Sequence, residues 1–145
     1  LKKDALRARA AALGLANAVF LPFQPYADLP DLLAASDVLI VPLDRAKSDL
    51  SVPSKLYTFM AAGRPILGLA APGSEVARLL RENDCGVAAA PDDPGEIAAA
   101  VRALAAAPER RRALGANARS YVVERFAKDK VLRSYDRLLR SLGPR

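Results

Sequence analysis

Four short apolar runs limit what this chain can fold into: residues 18–23 (A-V-F-L-P-F), 38–41 (V-L-I-V), 66–70 (I-L-G-L-A) and 86–90 (G-V-A-A-A). Each is too short for a helix and is bounded by turn-forming residues, so each reads as a strand. The run at 38–41, with Asp37 before it and Pro42 after it, has no polar side at all. Such a strand is expected to be covered on both faces.

Helical stretches separate the runs. Residues 1–13 are rich in Ala, Arg and Leu and end at Gly14, a natural helix stop. After a turn at Gln24-Pro25-Tyr26, residues 29–36 form a short helix with Asp28 placed to cap it. Pro72-Gly73-Ser74 leads into a helix over 75–82. Asp93-Pro94-Gly95-Glu96 supplies a capping residue, a first-turn proline and a Glu three positions after the cap, which opens a helix to 106. Residues 108–126 and 129–142 then read as two consecutive helices. Strand alternating with helix through short connections gives parallel strands and helices on both faces. The expectation is an α/β fold, a doubly wound Rossmann-like parallel sheet ending in two helices.

In sheets of this kind ligands bind beyond the carboxyl ends of the strands. Three segments are expected on that edge: residues 24–27, 43–52 and 71–75. The second leads into the most informative stretch, residues 51–65, S-V-P-S-K-L-Y-T-F-M-A-A-G-R-P. Pro53 suits a helix start and Gly63 a helix stop. Positions three and four apart share a face, so Ser54, Lys55 and Thr58 form a polar patch while Leu56, Phe59, Met60 and Gly63 form the stripe that packs on a sheet. A helix N-terminus carrying Lys55 attracts anions, and a phosphate fits there. The plainer alternative is that Ser54 and Lys55 only cap and solubilise the helix. Arg64 falls at the opposite edge and reads as structural.

Composition narrows the chemistry. The 145 residues are enough for one domain. Hydrophobic content of 52% with only 6% aromatics points to an interior of Ala, Leu, Val and Ile. One cysteine, Cys85, cannot form an internal disulfide, and with no histidine neither a zinc nor a haem site is expected. Cys85 begins an apolar run and reads as a small buried thiol. No apolar run approaches the ~20 residues of a membrane span, and the first residues lack a signal-peptide core, so a cytoplasmic location is expected. A formal charge of +6 favours an anionic partner: a phosphate-bearing ligand, anionic lipid or nucleic acid.

Four blocks, taken together in order and spacing, carry a resemblance: P-S-K-L-Y-T-F-M-A-A-G-R-P-I-L, P-G-S-E-V-A-R-L-L, C-G-V-A-A-A-P-D-D-P-G-E-I-A-A-A-V and E-R-R-R-A-L-G-A-N-A-R-S-Y-V-V-E-R-F. They resemble the nucleotide-sugar-binding C-terminal half of a GT-B glycosyltransferase of family 4, of the bacterial surface-polysaccharide and O-antigen type. The resemblance implies retaining transfer without a metal or other cofactor, from a nucleotide-diphosphate sugar to a saccharide or lipid-linked acceptor. Peripheral contact with the inner membrane is compatible with that, and nucleic acid is not an expected partner. Asp92 and Asp93 accordingly read as a helix entry and not as metal ligands. The implied roles are diphosphate binding at Pro53, Ser54 and Lys55, sugar and ribose contacts at Asp49, Ser51 and Thr58, and a base-flanking loop at Gln24, Pro25 and Tyr26.

The chain departs from the family at two carboxylates. Thr58 stands where a Glu holds the ribose, and the sugar-binding Glu position falls near Leu50, beside Asp49. A full domain of the family has two more strands ahead of residue 1, and a separate acceptor domain. In the order 3-2-1-4-5-6 those two strands lie between runs 18–23 and 38–41, so a gap is expected in the sheet. Two alternative functions share these features. One is a nucleotide-sugar epimerase; the other is a non-catalytic module presenting Arg110, Arg111, Arg112, Arg119 and Arg125.

Overall fold

A computed structural model of the chain describes residues 3–43 and 52–143. Its centre is a three-stranded parallel sheet in the order β1 (Leu39–Pro42), β2 (Ile66–Leu69), β3 (Gly86–Ala89). Leu39 pairs with Ile66 and Ile66 with Gly86, so all three strands begin level and end level. Helix α3 (Ser54–Ala61) joins β1 to β2, α4 (Glu75–Glu82) joins β2 to β3, and α5 (Pro94–Ala106) follows β3. Two long helices, α6 (Pro108–Phe126) and α7 (Lys128–Ser141), close the order, while α1 (Lys3–Ala12) and α2 (Leu29–Ala34) precede the sheet. The expected α/β class, the parallel sheet and the two terminal helices are all present.

Side-chain alternation along the strands divides the core. On one face Val41, Ile66 and Ala70 join Leu56 and Met60 of α3, Val76, Leu79 and Leu80 of α4, and Ala118 and Val122 of α6. Gly68 belongs to this face because a Cβ there would press on the Leu80 and Val76 side chains. Leu67 is fully buried outside that cluster, and α5 packs on β2 and β3. Cys85 is fully buried, and burial pushes its thiol up to about 11, as expected of a structural cysteine.

Helix α6 approaches the end of α3 closely because it carries Gly115 where they meet. A Cβ on Gly115 would collide with the Gly63 carbonyl, and Gly63 itself adopts φ +68, the left-handed conformation that ends α3. The Tyr57 ring packs, tilted by 45°, with its centroid 4.6 Å from that of Phe126, which in turn lies 5.7 Å from Tyr121. This aromatic cluster fastens α3 to the end of α6.

Three expectations fail. Residues 18–23 form no regular element and pair with no strand among the described residues, and Val19, Leu21 and Phe23 are exposed. A strand needs a neighbour to take its backbone groups; here Lys3 and Arg7 of α1 donate instead to the carbonyls of Leu21 and Phe20. Next, β1 is not covered on both faces: it alternates buried and exposed, with Ile40 46% exposed because α5 packs mainly on β2 and β3. Finally, Asp28 does not cap α2 with its side chain, because it already has helical φ/ψ as the last residue of a 3-10 turn, Tyr26–Asp28.

Candidate functional site

The carboxyl ends of β1, β2 and β3 define one edge, and from that edge α3, α4 and α5 each start. Their three entries differ. Ser74, only 1% exposed, caps α4 by accepting from the Ala77 N–H at 3.2 Å. Asp93 caps α5 by accepting from the Glu96 N–H at 2.9 Å. Glu96 does not return the bond to its own cap; its carboxylate accepts from Ala90 N–H at 3.1 Å and so ties the end of β3 to the helix entry. The reading of Asp93 as a capping residue holds.

Helix α3 has no such plug among the described residues. Its N-cap is Pro53, in extended conformation (φ −67, ψ 134), with no side-chain cap hydrogen bond. The Leu56 N–H reaches the Pro53 carbonyl at 2.9 Å, which leaves the amides of Ser54 and Lys55 ahead of the helical ladder. The side chains of Ser54, Lys55 and Thr58 are exposed, while Leu56 and Met60 are buried on the other side, as the spacing predicts. Such an entry offers free N–H donors, the positive end of the helix dipole and a lysine.

The neighbouring charge is quenched. Glu75, in the first turn of α4, would oppose an anion on this edge, but the Arg78 guanidinium holds it at 2.7 Å. Tyr57, half-buried one position beyond Leu56, has its hydroxyl pushed up by burial, with the Tyr121 hydroxyl and the Glu75 charge adding to it.

Thr58 and Tyr26 do come together. They line a cleft of about 360 Å³, mostly apolar, between the 3-10 turn with α2 on one side and α3 on the other, with Leu29, Leu33 and Arg119. Tyr26 is 87% exposed. Gln24 turns its amide back to the Pro22 carbonyl at 3.0 Å, and Pro25 precedes the 3-10 turn. Asp49 and Ser51, the expected sugar contacts, lie outside the described residues.

The arginines of the last helices are not simply a solvated face. Arg110 grips Asp84 with two hydrogen bonds, at 2.8 and 2.5 Å. Arg111 donates to the carbonyls of Leu104 and Ala105 at the end of α5, and Arg119 to that of Ala61 at the end of α3. Arg125 lies over the Tyr121 ring, and Arg112 meets only Glu109 on its own helix. Arg64, read as structural, donates to the Ala34 carbonyl at the end of α2.

The sequence reading missed the cap at Ser74, although a Ser directly before a Glu-led helix start is a recognisable signal. It also missed Asp84, a non-glycine residue at φ 46 whose carbonyl accepts from Asn117 at 2.9 Å. Nothing local marks that position.

Among the described residues, no group of His, Cys, Asp and Glu is arranged to hold a metal, and no helix is long and apolar enough to cross a membrane.

Known proteins share this architecture. The sucrose-phosphate synthase of Thermosynechococcus elongatus superposes with a TM-score of 0.79 at 21% identity, over 96% of this chain and 34% of that one. Anabaena HepE, solved in complex with UDP and with UDP-glucose, gives 0.75 in both, at 23% and 22% identity, over 95% of this chain and 36% of that one. At these identities the likeness concerns the fold.

Sequence relatives are nearer. WbjE of Pseudomonas aeruginosa, named as a probable glycosyltransferase, is 42% identical over 66 residues, 46% of this chain and 16% of that protein. WcaI of Escherichia coli strain K12, named as a putative colanic acid biosynthesis glycosyl transferase, is 30% identical over 135 residues, 92% of this chain. The chain spans only 32% of the length of WcaI. The model of the glycosyl transferases group 1 family matches residues 1–107. With nearly three quarters of its residues inside that match, and with the sheet edge and helix order just described, the chain belongs to the glycosyl transferases group 1 family.

Proposed function

We propose that this chain is the donor-binding part of a sugar transferase that moves a glycosyl group, with retention and without a metal, from a nucleotide-diphosphate sugar to a saccharide or lipid-linked acceptor. One observation carries the reading: of the three helices leaving the carboxyl edge of the sheet, α3 alone has an N-cap residue whose side chain does not bond to the helix amides, and it presents Ser54 and Lys55 to solvent. Family membership supports it, as does the fold shared with Anabaena HepE, a protein that binds UDP and UDP-glucose.

As the bond from sugar to diphosphate breaks, negative charge builds on the departing phosphate and the sugar becomes oxocarbenium-like. Fixed donors aimed at that phosphate lower the barrier most, because they need no reorganisation. The amides at Pro53 to Lys55, the Ser54 hydroxyl and the Lys55 ammonium supply them. Thr58, one turn along the same exposed face, contacts the ribose, and Tyr26 with Gln24 and Pro25 flanks the base from across the cleft. Asp49 and Ser51 meet the sugar. The leaving phosphate itself takes the acceptor proton, so no side chain has to act as base. The acceptor side comes from the remainder of the full-length protein, and the location is the cytoplasmic side of the inner membrane.

The test is donor binding by the full-length protein, screened with UDP-, GDP- and dTDP-sugars and then repeated with Lys55→Ala. A loss on the order of 2 to 4 kcal/mol is expected when an ammonium that pairs with a diphosphate is removed. Unchanged affinity and turnover would remove Lys55 from the site.

A further inference from the structure

At the opposite edge of the sheet, where the strands begin, a cleft of about 560 Å³ opens between the turn joining α3 to β2 and the first half of α6. Arg64, Arg111, Arg112 and Arg119 line it, with Asp37 as the single carboxylate among the lining residues. The first turn of α6 begins there at Pro108, and no side chain caps that helix.

Three of the four guanidinium groups are already held in place. Arg64 donates to the Ala34 carbonyl, Arg119 to that of Ala61 and Arg111 to those of Leu104 and Ala105, so the ends of α2, α3 and α5 fix them. Helix ends favour cations, which explains why arginines sit here. A guanidinium has five N–H groups, however, and each of these bonds uses one edge of the fork. Acid nearby is sparse and peripheral: Asp37, with its side chain 85% exposed, lies 3.8 Å from Arg111, and Glu109 pairs with Arg112 at the surface.

We propose that this cleft is a second anion site, specific for a phosphate-bearing group, at the sheet edge opposite the start of α3; it adjoins the cleft of Thr58 and Tyr26 at Ala62 and Arg119, which line both. Planar forks with spare N–H donors match the oxygens of a phosphate, and several forks together match a group of more than one negative charge better than a single carboxylate. Because the carbonyl bonds have already ordered three of the four side chains, binding costs little further side-chain entropy. The phosphate belongs either to a free diphosphate or to a lipid headgroup at a membrane surface.

The experiment uses the full-length protein in two arms, calorimetric titration with pyrophosphate and flotation with phosphatidylglycerol vesicles, each with and without saturating UDP. Arg112→Gln and Arg112→Glu are the variants, since among the described residues Arg112 holds only an exposed Glu109. Pyrophosphate binding that persists with UDP present, and that weakens about tenfold in Arg112→Gln and further in Arg112→Glu, establishes the site with a free phosphate ligand. The same response in the vesicle arm alone establishes it with a headgroup. Absence of binding in both arms, or binding that neither variant alters, overturns it. Failure of UDP to bind at all would count against the donor edge and leave these readouts intact.

Discussion

Three helices start on one edge of the sheet, and they divide into two kinds. The starts of α4 and α5 are closed by the chain's own oxygens, Ser74 and Asp93, whereas α3 begins at a proline, and among the described residues no side chain caps it. A closed start serves stability: its donors are spent. An open start forgoes a cap worth about 1 kcal/mol, and in exchange leaves a preformed anion cradle. Within one small sheet the same local geometry is thus used twice for holding the fold and once, on our reading, for holding a ligand.

Exchanging the two kinds of start separates them most sharply. Lys55→Ala should lose on the order of 2 to 4 kcal/mol of donor affinity in calorimetry while its unfolding free energy stays within about 0.5 kcal/mol of the parent, as for exposed sites generally. Closing the open start is the next test. Pro53→Asp places a carboxylate where it can accept from the amides of α3 and repel a diphosphate, so donor affinity should fall at least about tenfold. Its stability should barely move, because a cap gain of about 1 kcal/mol is offset by the loss of proline's restriction of the unfolded chain. A donor that binds Pro53→Asp as tightly as the parent would show that the amides of α3 are not the cradle.

The reverse change opens a closed start. Ser74→Ala leaves the Ala77 N–H without its acceptor at a buried position, which should cost about 1–2 kcal/mol in chemical denaturation. Donor affinity should be unchanged. If Ser74→Ala weakened the donor as much as Lys55→Ala does, the two starts would not be different in kind.

Much of this is legible in the sequence. Gly63, Pro72, Pro94 and Pro108 punctuate the chain so firmly that α4, α5 and α6 occupy the residues the sequence indicates. The two faces of α3 were also readable, since exposure of Ser54, Lys55 and Thr58 opposite Leu56 and Met60 follows from spacing alone. Pairing was not. Residues 18–23 have the composition of a strand, but composition does not supply a neighbour, and Ile40 looks like core until the extent of α5 is known. Long-range clamps were equally silent: Arg110 and Asp84 are 26 positions apart, and Arg119 and Ala61 are 58 apart. Of the proposed site, the helix start was readable because it is local, and the meeting of Thr58 with Tyr26 was not, because it is tertiary.

The far end of α4 supplies the smallest and cleanest control. There the two hydrogen bonds from Arg110 hold the Asp84 carboxyl below its ordinary value; slight desolvation works against them and the charge of Arg110 works with them. A carboxyl whose value is lowered on folding stabilises the protein at pH above its unfolded value of about 3.9, and that stabilisation disappears as pH falls through the folded value. Asparagine tolerates the positive φ found at Asp84, so Asp84→Asn removes the charge without forcing the backbone. It should be less stable than the parent at neutral pH, and the gap should close as the pH is lowered below about 4. Two parallel pH profiles would mean that Asp84 gains nothing from Arg110. Donor affinity at neutral pH should be the same in both proteins, because Asp84 sits where α4 ends and the donor sits where α3 begins; a loss of affinity here would tie helix ends to the binding edge and undo the separation between starts that hold the fold and the start that holds the ligand.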